Sequence, residues 1–265
     1  MADKKLPLSA HLEELRKRLI YSFVSIGVAF ALSYAFIKQI VDFLMRPLVK
    51  TLPQGSSLIF TAVPEAFFMY LKAALLSGVF FSAPFILYQL WAFISPGLYT
   101  REKKYALPYL FVSSAFFLLG AAFCYFVFFP VIFRFFLSFA SDAIRPLPAI
   151  KEYLSFTIKL LLAFGLLFQW PPLILFLARM GVVSPETLAK NRKYAILVIF
   201  VIAAVVTPPD LVSQILLAGP LMAMYEASIW MAKIFKKKEK PEGEEEKADP
   251  SSEKDEEEDS SKMGG

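Results

Sequence analysis

The chain has 265 residues, 57% of them hydrophobic, with 28 Phe, 11 Tyr and 3 Trp. That apolar content, gathered in several long runs, excludes an ordinary soluble domain and points to an integral membrane protein. The formal charge of +5 is unevenly spread: residues 239–262 hold 12 Asp or Glu against 4 Lys, a balance of −8, which leaves +13 on the rest. Basic residues beside apolar runs read as membrane-edge charge, so the positive body does not call for nucleic acid.

Residues 1–18 carry Leu8, Leu12, Leu15 and Leu19 at spacings of four, three and four, the stripe of an amphipathic helix lying at the interface. No charged head, short apolar core and small-residue cleavage site occur there, so no removable signal peptide is expected. Apolar runs then follow at about Leu19–Phe36, Ala66–Ile94, Tyr105–Phe133 and Tyr153–Leu177, with two shorter ones at Tyr194–Val206 and Leu211–Met231. The expectation is an all-α membrane protein of six transmembrane helices, the last two spans short. The fifth run, 13 apolar residues, rises only about 20 Å, against a bilayer core of about 30 Å. Prolines in or beside the runs (Pro84, Pro108, Pro130, Pro171, Pro172, Pro220) favour a curved, cup-like bundle over a straight one. The connections 37–65 and 134–152 are long enough to fold back as short helices over one face. The domain reading is 1–18 as an amino-terminal amphipathic helix, 19–232 as the six-span membrane domain, and 233–265 as a basic then acidic tail too polar to fold.

Orientation follows from Lys and Arg near the span ends. One side collects 16, from the amino terminus, the 95–104 and 178–193 loops and the cluster after the last span. The other collects 8. The richer side is the cytoplasmic one, which places both termini there.

Chemistry-bearing residues are few. One Cys, Cys124, lies inside an apolar run and leaves no intrachain disulfide; one His, His11, argues against a His-rich metal site or a His-based triad. There is no HExxH helix, no pair of aspartates within spans and no glycine-rich phosphate loop, so neither an enzyme nor a metal or cofactor is expected. A secondary transporter or channel is the alternative, but internal repeats and strong midplane acids are missing. Polar stretches remain. In His11-Leu-Glu-Glu-Leu-Arg-Lys-Arg-Leu19, Glu13 faces Lys17 and Glu14 faces Arg18 one turn on, which suits helix pairing and equally suits holding a ligand. In Trp91–Lys104, Pro96-Gly97 marks a turn, Phe93 sets an aromatic ring near the interface, and Glu102 stands alone among Arg101, Lys103 and Lys104. Two carboxylates on one face suit two arginines, since a guanidinium matches the carboxylate fork. Gln169 lies inside the fourth run and needs a partner, from a neighbouring helix or another protein. In Thr207-Pro-Pro-Asp210 a tight turn ends with Asp210 as the cap of the last helix.

Together, HLEELRKRL, WAFISPGLYTREKK, the FQWP of the fourth span, Ser184-Pro185-Glu186 and TPPD resemble the TatC family, the polytopic subunit of the twin-arginine protein translocase, over about residues 8–232. The resemblance implies a cytoplasmic-face receptor for the twin-arginine signal peptides of folded cargo. That receptor works in a homo- or hetero-oligomer with single-span TatA and TatB proteins in the cytoplasmic (inner) membrane, driven by the proton-motive force. It implies Glu14 and Glu102 as the acids that bind the arginine pair, with Phe93 beside them. Gln169 is implied as a contact for a partner helix, at a position where the family often has Glu; an amide there brings no titratable charge. Pro47, Pro96, Gly97, Pro208, Pro209 and Asp210 are assigned structural roles.

Overall fold

The computed structural model describes residues 8–53, 56–94, 106–141 and 146–235. Ten helices occur among them: α1 (Leu8–Ala35), α2 (Ile37–Val49), α3 (Glu65–Ile94), α4 (Ala106–Phe123), α5 (Phe129–Leu137), α6 (Ile150–Leu167), α7 (Trp170–Arg179), α8 (Pro185–Lys190), α9 (Arg192–Val206) and α10 (Leu211–Phe235). Five segments are long and apolar enough to cross a bilayer: His11–Ala35, Glu65–Phe93, Pro108–Leu137, Ile150–Arg179 and Leu211–Ile234. α9 is the sixth apolar helix, and its 15 residues rise only about 22 Å. The expected all-α, six-helix membrane architecture is therefore present. One detail is corrected: α10 runs 25 residues, so the short span is α9 and not the last helix. Helix-forming Ala, Lys and Ile carry α10 past the apolar run at Met231 as far as Phe235.

A second correction concerns the amino-terminal segment. Residues 8–18 do not form a helix of their own, because α1 is one rod of 28 residues. Leu, Glu, Arg and Lys all favour helix, no proline interrupts them, and the Glu14–Arg18 pair clamps the turn where a break was expected.

α1 packs along α3, α4 along α6, α7 along α10, and α9 along α10. Two of these pairings depend on glycine. A Cβ on Gly78 of α3 would lie 2.9 Å from the Phe30 nitrogen of α1, and one on Gly120 of α4 would lie 2.5 Å from the Phe164 carbonyl oxygen of α6. Backbones approach that closely only where a side chain is missing.

The prolines act in two ways. Pro108, Pro171 and Pro172 lie in first turns, where a missing N–H costs little, whereas Pro130 lies inside the continuous third span, Pro108–Leu137. Before Pro130 a π-helical turn, Cys124–Phe128, widens the span. At Phe168-Gln169 the fourth span breaks into α6 and α7. Pro84 and Pro220 sit inside helices, as does Pro47 in α2. Pro47 has no N–H for the carbonyl of Phe43, four residues back. The Tyr125 hydroxyl donates to that carbonyl at 2.6 Å, and the Tyr153 hydroxyl donates to the next one, on Leu44, at 2.5 Å. Pro47 thus leaves the Phe43 carbonyl open to a tyrosine of the third span, beside the Leu44 carbonyl that a tyrosine of the fourth span reaches.

α2 folds back across the end of the bundle, with Val41, Leu44, Met45 and Leu48 buried against the core. Beside it a parallel bridge joins Ile59 to Ala149, tying the two long connections together. At this same end Asp210 caps α10, its Oδ1 accepting from the Ser213 N–H at 2.7 Å.

Gly120→Ala forces α4 and α6 apart and should cost about 1–3 kcal/mol. Gly219→Ala meets nothing within 4 Å and serves as the control. Thermal unfolding in detergent should show a lower midpoint for the first variant only; equal midpoints would mean that the close approach does not hold the helices.

Candidate functional site

At the end opposite α2, the start of α1 meets the end of α3. On α1, His11, Glu14 and Arg18 follow at spacings of three and four; on α3, Gln89 and Phe93 are four apart. Each set lies on one helical face, and the two faces meet. His11 stacks on Phe93 with ring centroids 4.4 Å apart and planes 18° from parallel. Arg18 donates to Glu14 Oε1 from Nε at 2.9 Å and from Nη2 at 2.5 Å, and its Nη1 donates to Gln89 Oε1 at 3.3 Å. One guanidinium therefore bridges a carboxylate on α1 and a buried amide on α3.

Two features make this cluster able to take a further cation. Both members of the pair keep about a quarter of their side chain exposed, 23% for Arg18 and 26% for Glu14. Both Arg18 bonds also land on the same carboxylate oxygen, so Oε2 accepts none among the described residues. An open cavity of 490 Å³ lies here, lined by Glu13, Glu14, Lys17, Arg18 and Tyr21. The Glu14–Arg18 pairing read from the sequence is formed, whereas Glu13 and Lys17 are in no ion pair among the described residues. Glu102, Pro96 and Gly97 lie outside the described residues.

Gln169 sits at the α6–α7 break, half-buried. Its Nε2 donates to the Ser113 carbonyl of α4 at 2.9 Å. The Ser113 hydroxyl accepts from Trp91 Nε1 of α3 at 3.3 Å. One residue of α4 thus holds α3 and α7 together. The partner that Gln169 requires is found inside the bundle, while its Oε1 takes no bond among the described residues.

Pro208 and Pro209 shape the turn before Asp210, and Thr207 donates back to Ala203 at 2.8 Å. Ser184 caps α8 by accepting from the Thr187 N–H. Arg192 of α9 and Glu226 of α10 form a two-pronged pair, Nε–Oε1 and Nη2–Oε2, both at 2.8 Å. Sequence reading missed this pair, along with the parts played by His11 and Gln89. For His11 and Gln89 a signal was present: His11 precedes Glu14 by one turn, and Gln89 precedes Phe93 by one.

Fold and site together define a polytopic α-helical membrane protein with an arginine-holding polar cluster at one end. The comparisons refine this. The sequence model of the family described as Sec-independent protein translocase protein (TatC) matches residues 10–220. The chain is 50% identical over 243 residues to a protein of that name from Desulforapulum autotrophicum, covering 92% of this chain and 90% of the relative. It is 41% identical to the one from Escherichia coli K12, covering 86% and 89%. A crystal structure described as the twin arginine translocase receptor TatC superposes with a TM-score of 0.78 at 38% identity, over 86% of this chain and 100% of that one. The chain belongs to the TatC family of Sec-independent protein translocase proteins.

Ser113→Ala leaves the buried Trp91 N–H without its acceptor but keeps the backbone carbonyl that Gln169 uses. The expected cost is about 1–3 kcal/mol, read as a lower unfolding midpoint in detergent followed by tryptophan emission. An unchanged midpoint would remove Ser113 from this role.

Proposed function

We propose that this chain is the signal-peptide receptor of a twin-arginine translocase. On this reading residues 19–232 form its membrane domain, and both the start of α1 and the tail 233–265 lie in the cytoplasm. The observation that carries the reading is the state of Glu14: a carboxylate already holding one guanidinium, with its second oxygen unbonded among the described residues and beside an open cavity. An arginine of a twin-arginine peptide takes Oε2 directly, or takes both oxygens while Arg18 swings onto Gln89. Glu102 accepts the second arginine, and Phe93, stacked on His11, supports the peptide's flank. Lysine serves poorly here, since an ammonium cannot span both carboxylate oxygens in a planar fork.

The chain carries out no covalent step. The apolar part of the signal inserts beside the helices, and TatA- and TatB-type single-span helices gather at the wall that holds Gln169, whose Oε1 accepts a donor from them. The proton-motive force drives transport, in the cytoplasmic (inner) membrane. The Lys and Arg excess at the α1 end supports this orientation.

Binding of a twin-arginine peptide to the protein in nanodiscs tests the reading, against a twin-lysine peptide and against Glu14→Gln and Glu102→Gln. A partly wet charge-assisted bond contributes about 1.5 kcal/mol, so each variant should bind about tenfold more weakly, as should the lysine peptide. Equal affinities in all four cases would sink the assignment. Cysteine pairs between position 169 and a TatA-type helix should crosslink in at least one register; none in any register would remove Gln169 as the contact.

A further inference from the structure

Away from this site, two lysines lie inside apolar helices. Lys72 is seven residues past the start of α3 and Lys159 nine past the start of α6, both counted from the α2 end. At 1.5 Å per residue their Cα atoms lie about 10 and 14 Å below the helix starts. Both side chains are exposed, and both line one cleft of 330 Å³ between α3 and α6. In the cleft Ser155 stands one turn above Lys159, while Leu75 and Val79 follow Lys72, and Leu162 follows Lys159, toward the membrane centre. The cleft is cationic above and apolar below.

Neither lysine belongs to an ion pair among the described residues. Lys151, two turns above Lys159, differs, because the Glu65 carboxylate lies near it. Two ammonium groups that share a cleft repel each other, and neither is well solvated at that depth. A lysine chain reaches about 6 Å upward, which brings both charges toward the depth of lipid phosphates. An acid on a partner helix could neutralise them but would leave the apolar lower wall bare. A lipid satisfies both parts, with phosphate on the ammonium groups and an acyl chain along Leu75, Val79 and Leu162.

We propose that Lys72 and Lys159 form a binding site for an anionic glycerophospholipid, phosphate uppermost and one acyl chain in the α3–α6 cleft. In the orientation proposed above this lipid lies in the outer leaflet, and only that assignment rests on the proposed function. The whole protein, purified in a mild detergent, is offered phosphatidylglycerol and phosphatidylcholine in equal amounts, and retained lipid is counted by native mass spectrometry. At about 1 kcal/mol for each lysine near an anionic headgroup, retention should favour phosphatidylglycerol by about tenfold or more. The double variant Lys72→Gln, Lys159→Gln should lose the preference, and Lys72→Arg, Lys159→Arg should keep it. Twin-arginine peptide binding by the Gln variant checks that it is folded, and separates failure here from failure of the receptor reading. Equal retention of the two lipids by the unsubstituted protein would overturn the proposal. So would an undiminished preference in the Gln variant. Displacement of the lipid by glycerol phosphate or inorganic phosphate at equal concentration would reassign the cleft to a free anion. Recovery of an acidic helix crosslinked to Lys72 in place of lipid would reassign it to a protein partner.

Discussion

Hydrocarbon offers no hydrogen bonds, so every backbone carbonyl that a proline strands must find a donor within the protein. On α2 this chain meets that demand with a side chain from another helix, the Tyr125 hydroxyl, which donates to the Phe43 carbonyl that Pro47 leaves open. Three further side chains donate across helices to carbonyls that no proline strands: Tyr153 to Leu44, Tyr225 to Leu188 of α8, and Gln169 to Ser113. Each bond joins segments far apart in sequence. These long-range bonds hold the bent parts of the bundle together. α2 is fastened over one end by this means, and the α6–α7 break is fixed against α4. With these bonds in place, α1 and α3 can lie side by side with nothing but a glycine between their backbones.

The opposite end follows a different logic. There polar groups are held by other polar groups and left half open. Arg18 keeps the Glu14 carboxylate oriented and prevents it from being an isolated charge at a membrane edge. Because it uses only one oxygen, the cluster is stable when empty and can still accept a planar donor. Gln89, buried on α3, holds the third guanidinium nitrogen and gives Arg18 a place to stay if Glu14 turns to a newcomer. Structural pairing and the recognition proposed above call on the same carboxylate, which is why the sequence alone supported both.

What could be read in advance was what depends on near neighbours. The apolar runs announced the spans, the i, i+4 spacing announced the Glu14–Arg18 pair, and Thr-Pro-Pro-Asp announced the cap on α10. Where a long-range contact decided the outcome, the sequence was silent or misleading. The leucine stripe of residues 8–19 suggested a separate surface helix, because period alone does not say whether a helix continues into the next run. That Gln169 needed a partner followed from its setting among apolar residues; that the partner is the Ser113 carbonyl depends on how α4 crosses the break. The stacking of His11 on Phe93 joins positions more than eighty residues apart, and no local pattern encodes it. The shortness of the fifth span was legible from run length, whereas the full length of the sixth was hidden where Lys233 interrupts the apolar residues at its end.

The continuity of α1 has a mechanical meaning. Glu14 and the segment that crosses the bilayer belong to one rod of 28 residues, about 42 Å long. The rod packs along α3, with the Arg18–Gln89 and His11–Phe93 contacts near its start and the close approach of Gly78 to Ile26 and Phe30 further along. Its other side, with Phe23, Val24, Val28 and Leu32, is left to the bilayer. Because one rod carries both acid and span, the place of Glu14 at the membrane edge is set by how α1 packs on α3, and the close approach that Gly78 allows to Ile26 and Phe30 helps to set where that carboxylate stands.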